Sequence, residues 1–423
     1  MFDTIFALSS GTPPAAIAVI RISGPAARNV LTRLAGGLPT PRRAGARVLH
    51  DDRGEELDRA LVLWLPGPGT ATGEDVAELH LHGGRAVVAA AEAALSAMPG
   101  LRRAEAGEFT RRAFANGRID LAEAEGLADL LSAETELQRR AAQAMAGGAL
   151  SRRVEDWRER VLALSAAVEA VLDFGDEDDV AGLPADFAAR VEGLAGELGA
   201  WLARPRAEPL RDGFRVVLAG PPNAGKSSLF NALLESEAAI TAPSPGTTRD
   251  VIERPVAIGG VPFVLVDTAG LRGETADAIE EIGIARARRQ LADADLVLWL
   301  GPEGEGPPDA WEVETKCDLG IPGKSAPRAR VSAATGKGLA ALKTALVEAA
   351  FSAMPAPGEA ALNARQFRLL SEAHAALAGG EECNPLILAE KFRLARLAFD
   401  RLVGRASTED MLDALFGRFC IGK

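Results

Sequence analysis

The 423-residue chain is 48% hydrophobic and 25% charged, enough for two or three domains with their own buried cores and ordinary for a soluble globular protein. No apolar run nears the ~20 residues of a membrane span, the opening Met-Phe-Asp-Thr-Ile lacks a basic signal-peptide region, and Cys317, Cys383 and Cys420 are too few and too scattered for a disulfide framework. A cytoplasmic location is therefore expected, and the net charge of −12 excludes a surface coated for nucleic acid, leaving any RNA contact to a local patch or a partner.

Residues 1–118 read as a mixed α/β domain. Segments 16–22 (AIAVIRI), 60–65 and 76–81 are strand-like, and Gly83-Gly84 leads into an alanine-rich helix over 85–97. His80 and His82, at i and i+2 on a strand, share a face but have no third ligand nearby, so they are expected as core or loop histidines and not as a metal site. The densest basic stretch, Arg102, Arg103, Arg111, Arg112 and Arg118, is expected to be a solvated face.

From residue 119 the texture turns helical. Leu121, Leu127, Leu130 and Leu131 begin an apolar stripe that resumes through Trp157, Val161, Leu164, Val168 and Val171. A further helix is expected over 184–203, and 204–211 (RPRAEPLR) reads as a linker. Strand and helix then alternate to about residue 351, although 301–314, rich in Gly, Pro and Glu, shows no clean element. After a second linker at 354–359, helices are expected at 362–378, 385–403 and 408–418, the last with Ser407 and Asp410 spaced as a capping box. The expected architecture is multidomain α/β plus all-α. An N-terminal α/β domain (1–118) precedes a helical bundle in two parts (119–212 and 354–423), with a doubly wound P-loop domain (213–353) inserted between them.

Residues 215–219 (RVVLA) form a buried-strand pattern running straight into Gly220-Pro-Pro-Asn-Ala-Gly225-Lys226-Ser227, a G-x-x-x-x-G-K-[ST] loop, with a helical pattern from Ser228. Strand, glycine loop and helix are the context such a loop needs to wrap phosphates. Asn223, Ala224, Gly225 and Ser228 belong to that cradle. Lys226 would reach the β- and γ-phosphates, and Ser227 would ligate Mg²⁺. A second strand ends in Asp267-Thr268-Ala269-Gly270, which puts an acid beside the Mg²⁺ and an amide near the γ-phosphate. Gly246, Thr247 and Thr248 lie in the loop between, with a threonine hydroxyl for the metal. Thr315-Lys316-Cys317-Asp318 and Ser332-Ala333-Ala334 sit where a purine would be read. A carboxylate there accepts from guanine N1 and N2, which adenine cannot match, so GTP is expected over ATP.

The motif order resembles that of translation-factor-type GTPases. The loop at 220–227 together with Pro-Gly-Thr-Thr-Arg-Asp at 245–250 and Asp-Thr-Ala-Gly-Leu-Arg at 267–272 narrows it to the bacterial group of Era, Der and MnmE. One departure is Thr315, where the group usually has Asn; altered guanine affinity is expected. Three further stretches resemble the MnmE (TrmE) family of tRNA-modification GTPases: Glu78-Leu-His-Leu-His-Gly-Gly, the run from Gly107 to Glu125, and the terminal Cys420-Ile-Gly-Lys423. The resemblance runs nearly end to end.

That resemblance carries its own expectations. Leu271 stands where Ras-type enzymes carry a water-orienting glutamine. The family instead uses K⁺, here matched by Asn223, by the carbonyls of Ala242 and Ser244, and by Thr247, with G-domain dimerisation completing the cage. Glu280 matches the family's hydrolysis glutamate, with Glu281 and Glu274 as alternatives, and Mg²⁺ falls to Ser227 and Thr248. Arg21, Glu78, Arg118 and Lys423 match its folate-binding positions, for 5-formyl- or methylene-tetrahydrofolate, and Cys420 its functional thiol. The N-terminal domain is expected to form a homodimer. The FAD- and NADH-using partner MnmG is implied, with tRNA as substrate, for adding an aminomethyl or carboxymethylaminomethyl group at C5 of the wobble uridine (U34). The other reading is an Era- or Der-like regulator of ribosome assembly; the regions flanking the P-loop domain have no Gly-x-x-Gly loop in a basic setting to support it.

Overall fold

The computed structural model of the chain describes residues 3–174, 182–235, 252–268, 289–320, 323–356, 358–379, 384–406 and 409–423. It divides into two compact units, Met1–Ala128 with Asp400–Lys423, and Asp129–Phe399.

The first unit is built on β1 (Thr4–Leu8), β2 (Ile17–Ser23), α1 (Ala27–Leu34), β3 (Gly45–His50), β4 (Glu56–Leu65), β5 (Val76–His82), α2 (Arg85–Ser96), β6 (Leu101–Arg103), α3 (Glu108–Ala115) and the start of α4 (Leu121–Ser132). Its sheet runs β3-β4-β5-β2-β1-β6, antiparallel except for the β1–β6 pair. Alternation sends Ile20, Ile22, Val62, Leu79 and Leu81 to one face, where they pack with Val30, Leu31 and Leu34 of α1 and Val88 and Leu95 of α2. On the opposite face Ile5, Ala7, Ala104 and Phe109 pack together over β1.

Arg112 corrects one expectation about this unit. Instead of lying on a solvated face it is 1% exposed, and its guanidinium donates to the Asp3 carbonyl and to the carboxylates of Asp3, Glu74 and Glu108. Arg102 reaches Asp3 and Glu108 as well. Burial alone would raise the Glu108 carboxyl. The Arg102 hydrogen bond, the Glu105 N–H and Arg112 outweigh it and hold the group below its ordinary value. A basic run in sequence thus became a clasp between strand, loop and helix, a pairing that residue spacing does not reveal.

The second unit begins with α5 (Glu136–Ala146), α6 (Ala149–Phe174), α7 (Phe187–Leu202) and α8 (Glu208–Arg211). Next come β7 (Phe214–Ala219), α9 (Lys226–Glu235), β8 (Ile252–Ile258), β9 (Val261–Asp267), β10 (Leu296–Trp299), β11 (Trp311–Glu314), β12 (Ala329–Arg330), α10 (Leu339–Ala353), α11 (Ala364–Leu377) and α12 (Pro385–Leu402). Helix α13 (Glu409–Phe416) belongs to the first unit. Thr135 and Asn363 cap α5 and α11 with full capping boxes; the box expected at Ser407 lies outside the described residues. Helices before and after the inserted segment interdigitate: the Trp157 ring lies 5.6 Å from Trp201 and 6.1 Å from Phe399.

The inserted sheet runs β12-β11-β10-β7-β9-β8, parallel apart from β8. The mixed sheet, the helices and this doubly wound sheet are the fold class expected. Two local readings change. The linker at 204–211 ends in α8, whose Leu210 is buried in the core beneath this sheet together with Leu137 and Ala141 of α5. The unassigned stretch 301–314 ends in β11, a strand joined to β10 without a helix. Its loop folds back over Trp299, whose Nε1 donates to the Pro302 carbonyl at 2.8 Å, and the buried Lys324 ammonium ties the Trp299 carbonyl to Glu312. Polar clasps do there what an apolar helix face usually does, so no hydrophobic period marks the segment.

Candidate functional site

Buried Val216 and Leu218 fix β7 between β9 and β10, so the glycine loop leaves the sheet at its carboxyl edge and enters the N-terminus of α9. Gly220 (φ 147°) and Gly225 (φ 91°) occupy backbone regions that side chains rarely enter. Lys226 is buried, and its Nζ donates to the carbonyls of Gly220 at 2.9 Å and Pro221 at 2.8 Å, holding the loop in a ring around its ammonium. Asn223 sits at φ 61°. Asparagine tolerates that left-handed turn better than most residues, so the turn is a reason for Asn223 besides any cation it could hold. Ser228 is exposed on the first turn of α9.

Asp267, 1% exposed at the end of β9, accepts a hydrogen bond from Ser227 Oγ at 2.7 Å. A hydroxyl and a carboxylate side by side form the oxygen donor set that suits Mg²⁺. Thr268 Oγ1 donates to the Leu218 carbonyl at 2.8 Å, pinning this end of β9 to β7. Ala269, Gly270, Ala242, Ser244, Gly246, Thr247, Thr248 and Glu280, with its alternatives Glu274 and Glu281, lie outside the described residues.

The loop after β11 is bonded to the glycine loop after β7. Thr315 Oγ1 donates to the Ala224 carbonyl at 2.7 Å and Lys316 Nζ to that of Asn223 at 2.9 Å. Threonine therefore makes a tie at the place where the group usually has asparagine. The Ser332 hydroxyl beside Asp318 holds that carboxyl below its usual value, keeping it an acceptor. Ser332 is buried, and Ala333 and Ala334 follow it toward the surface. Asn223, Ala224, Gly225, Lys226, Ser227, Asp267, Thr268, Thr315, Lys316, Asp318 and Ser332 thus belong to one bonded assembly.

On the first unit, Arg21 and Glu78 are register partners on β2 and β5, and Arg21 Nε donates to Glu78 Oε1 at 3.1 Å. The Phe109 ring lies 5.9 Å from the Arg21 guanidinium carbon. Arg118 runs its stem past Gly73, next to Thr72 and Glu74, which hold the Ser23 hydroxyl. The carboxyl-terminal tail is stitched to the same sheet. Ile421 bridges to Ala106, and Ser9 Oγ donates to the Gly422 carbonyl at 2.8 Å. Gly422 has φ 96°, and a Cβ there would fall 2.2 Å from the Leu8 carbonyl oxygen. Leu8 pairs with Ile20, so the tail bearing exposed Cys420 and half-buried Lys423 is held against the end of β1. Sequence reading missed two contacts here. His80, expected in core or loop, meets Glu78 Oε2 with its Nε2 at 3.2 Å, and His82 meets Asp58 at 2.7 Å. Among the described residues no group of three or more His, Cys, Asp and Glu side chains is placed to hold a metal.

No helix among the described residues is long and apolar enough to cross a membrane. The chain matches the family description of the GTP-binding protein TrmE N-terminus over residues 4–118 and that of the MnmE helical domain over 121–420. The tRNA modification GTPase MnmE of Erythrobacter litoralis is 66% identical over the whole of both chains, and that of Novosphingobium aromaticivorans 64% over the whole of both. The protein of the same description from Rhizorhabdus wittichii is 60% identical, covering all of this chain and 97% of its own. The chain belongs to the MnmE family and is a GTP hydrolase of tRNA modification.

Proposed function

We propose that this GTP hydrolase works with an FAD-dependent MnmG-type partner to add an aminomethyl or carboxymethylaminomethyl group at C5 of U34 in certain tRNAs, drawing the carbon from a tetrahydrofolate. The chain divides for this into a dimerising, folate-binding domain (1–118), a two-part helical domain (119–212 and 354–423) and the GTPase domain (213–353). The observation that carries the reading is the bonded assembly of Lys226, Ser227–Asp267 and Thr315–Ala224, a nucleotide site whose phosphate, metal and base ends are tied together.

In hydrolysis, Lys226 neutralises the β- and γ-phosphates, Ser227 and Thr248 hold Mg²⁺, and Asp318 with Ser332–Ala334 reads guanine. Potassium supplies positive charge beside the phosphates, where other GTPases use an arginine. Asn223, the carbonyls of Ala242 and Ser244, and Thr247 hold it once two GTPase domains meet, and Glu280 orients the water. In tRNA modification, tetrahydrofolate supplies the one-carbon unit when bound. Arg21, Glu78, Arg118 and Lys423 would hold it, and the stitched tail carries the Cys420 thiol.

Steady-state GTP hydrolysis in K⁺ and in Na⁺ at equal ionic strength tests the hydrolysis mechanism. K⁺ should stimulate at least tenfold, about 1.4 kcal/mol of barrier, and Asn223→Gly should remove that stimulation. Glycine keeps the left-handed turn that alanine would strain. Equal rates in the two salts would overturn the potassium mechanism.

A further inference from the structure

Glu78 is gripped at both ends. Its Oε1 accepts from Arg21 Nε at 3.1 Å and its Oε2 meets His80 Nε2 at 3.2 Å, on the sheet face left open between β4 and β2. All three side chains are half-buried, at 26%, 17% and 29% exposure for Arg21, Glu78 and His80. His80 lies two residues along β5 from Glu78, so the strand's own period puts both side chains on one face. Cross-strand neighbours flank them, Val19 and Leu61 beside His80, Arg21 and Leu63 beside Glu78.

We infer that His80 is a positioning residue for folate binding: with Nε2 protonated, it fixes the Glu78 carboxylate plane so that one free lone pair on each oxygen faces a 2-amino-4-oxopyrimidine ring. This rests on the proposal that Glu78 binds folate. A carboxylate oxygen offers two lone pairs. With one taken on each oxygen by Arg21 and by His80, one on each oxygen remains for a ligand. The pterin's ring N–H and exocyclic amine are two parallel donors that such a pair fits. The terminal torsion of a glutamate is otherwise broad and nearly two-fold. One grip alone leaves the carboxylate free to swing, while two hold it ready. The role inferred for this contact lies in ligand binding.

The test is the dissociation constant of 5-formyltetrahydrofolate for the full-length chain, measured by calorimetry, with thermal melting as a check on the fold. The wild type should bind and Glu78→Gln should lose binding. His80→Ala should bind about tenfold more weakly, the size expected for losing a hydrogen bond to a charged group. His80→Gln, whose amide can donate to the same oxygen, should return to within about twofold. Should the alanine variant melt early, His80→Leu asks the same question while filling the strand position. If Glu78→Gln loses binding but the His80 variants bind like the wild type, or His80→Gln is as weak as alanine, the role of His80 is overturned and the folate site stands. No binding by the wild type, or none lost in Glu78→Gln, overturns both.

Discussion

The phosphate loop draws its groups from a contiguous stretch, Gly220 to Ser228, whereas the open sheet face of the first unit draws on residues as far apart as Ser9 and Gly422. In the loop, glycine conformations and the helix that follows place the lysine and serine. On the sheet, each residue stands on its own strand or tail, and side-chain bonds across long sequence separations bring them together. The first kind of arrangement is set mostly by its own local backbone. The second depends on every stitch that holds the tail to the sheet.

The largest effects should separate the two regions. Lys226→Ala removes the ammonium proposed to meet the β- and γ-phosphates, and GTP hydrolysis should fall by about two to three orders of magnitude, comparable with deleting one stabilising donor from a transition state. Cys420→Ser should leave hydrolysis intact while modified U34, measured by mass spectrometry of tRNA nucleosides, disappears. If modification survives Cys420→Ser, the terminal thiol has no part in the chemistry and the second site shrinks to a binding surface.

A stability experiment probes the clasp beneath the sheet. Glu108→Gln leaves the guanidiniums of Arg102 and Arg112 short of a carboxylate in a buried network, and should lower unfolding stability by about 3 kcal/mol near neutral pH. The Glu108 carboxyl lies below its reference value of 4.5 in the folded chain, so its contribution is complete above about that pH and is lost as pH falls through the lowered folded value. The gap between wild type and variant should therefore narrow on acidification. A gap that stays constant from pH 7 to pH 3 would mean that the loss comes from packing and not from charge.

Gly422→Ala breaks the tail stitch directly. A Cβ at that position meets the Leu8 carbonyl at 2.2 Å, and the φ of 96° is poorly tolerated by alanine. Displacing the tail should cut U34 modification about tenfold, since an ångström-scale misplacement of a reacting group costs one to two orders of magnitude. GTP hydrolysis should not follow. Normal modification in this variant would show that the tail need not be anchored to work.

How much of this was legible in the sequence follows the same division. Gly220–Ser227, Asp267 and Thr315–Asp318 could be named because each motif needs a fixed local backbone, and the residues that supply it are adjacent. The partnership of Arg112 with Glu74 and Asp3, and of His80 with Glu78, is set by strand register and by a loop closing from elsewhere, which spacing does not encode. The stretch 301–314 was opaque for another reason: its loop is held by Lys324, Glu312 and main-chain carbonyls, and its one strand, Trp311–Glu314, is too short for a periodic pattern. Buried Leu210 shows the limit at a boundary, where a single apolar residue in RPRAEPLR docks a segment that composition marks as a linker.

The smallest effect is expected at the tie between the two loops of the nucleotide site. Thr315→Val keeps the side-chain shape and the methyl packed near Gly225 but removes the hydroxyl that donates to the Ala224 carbonyl. One hydrogen bond between partly buried groups is worth about 1 kcal/mol, so nucleotide affinity should weaken about fivefold. The loss should appear as faster release of a fluorescent GDP analogue, because the phosphate loop then opens more readily from the base loop. Thr315→Asn should bind at least as tightly as the wild type, since its amide can donate to the same carbonyl. If valine binds as threonine does, the phosphate loop holds its shape through Lys226 and the glycines alone, and a contiguous site needs no tie from a distant strand.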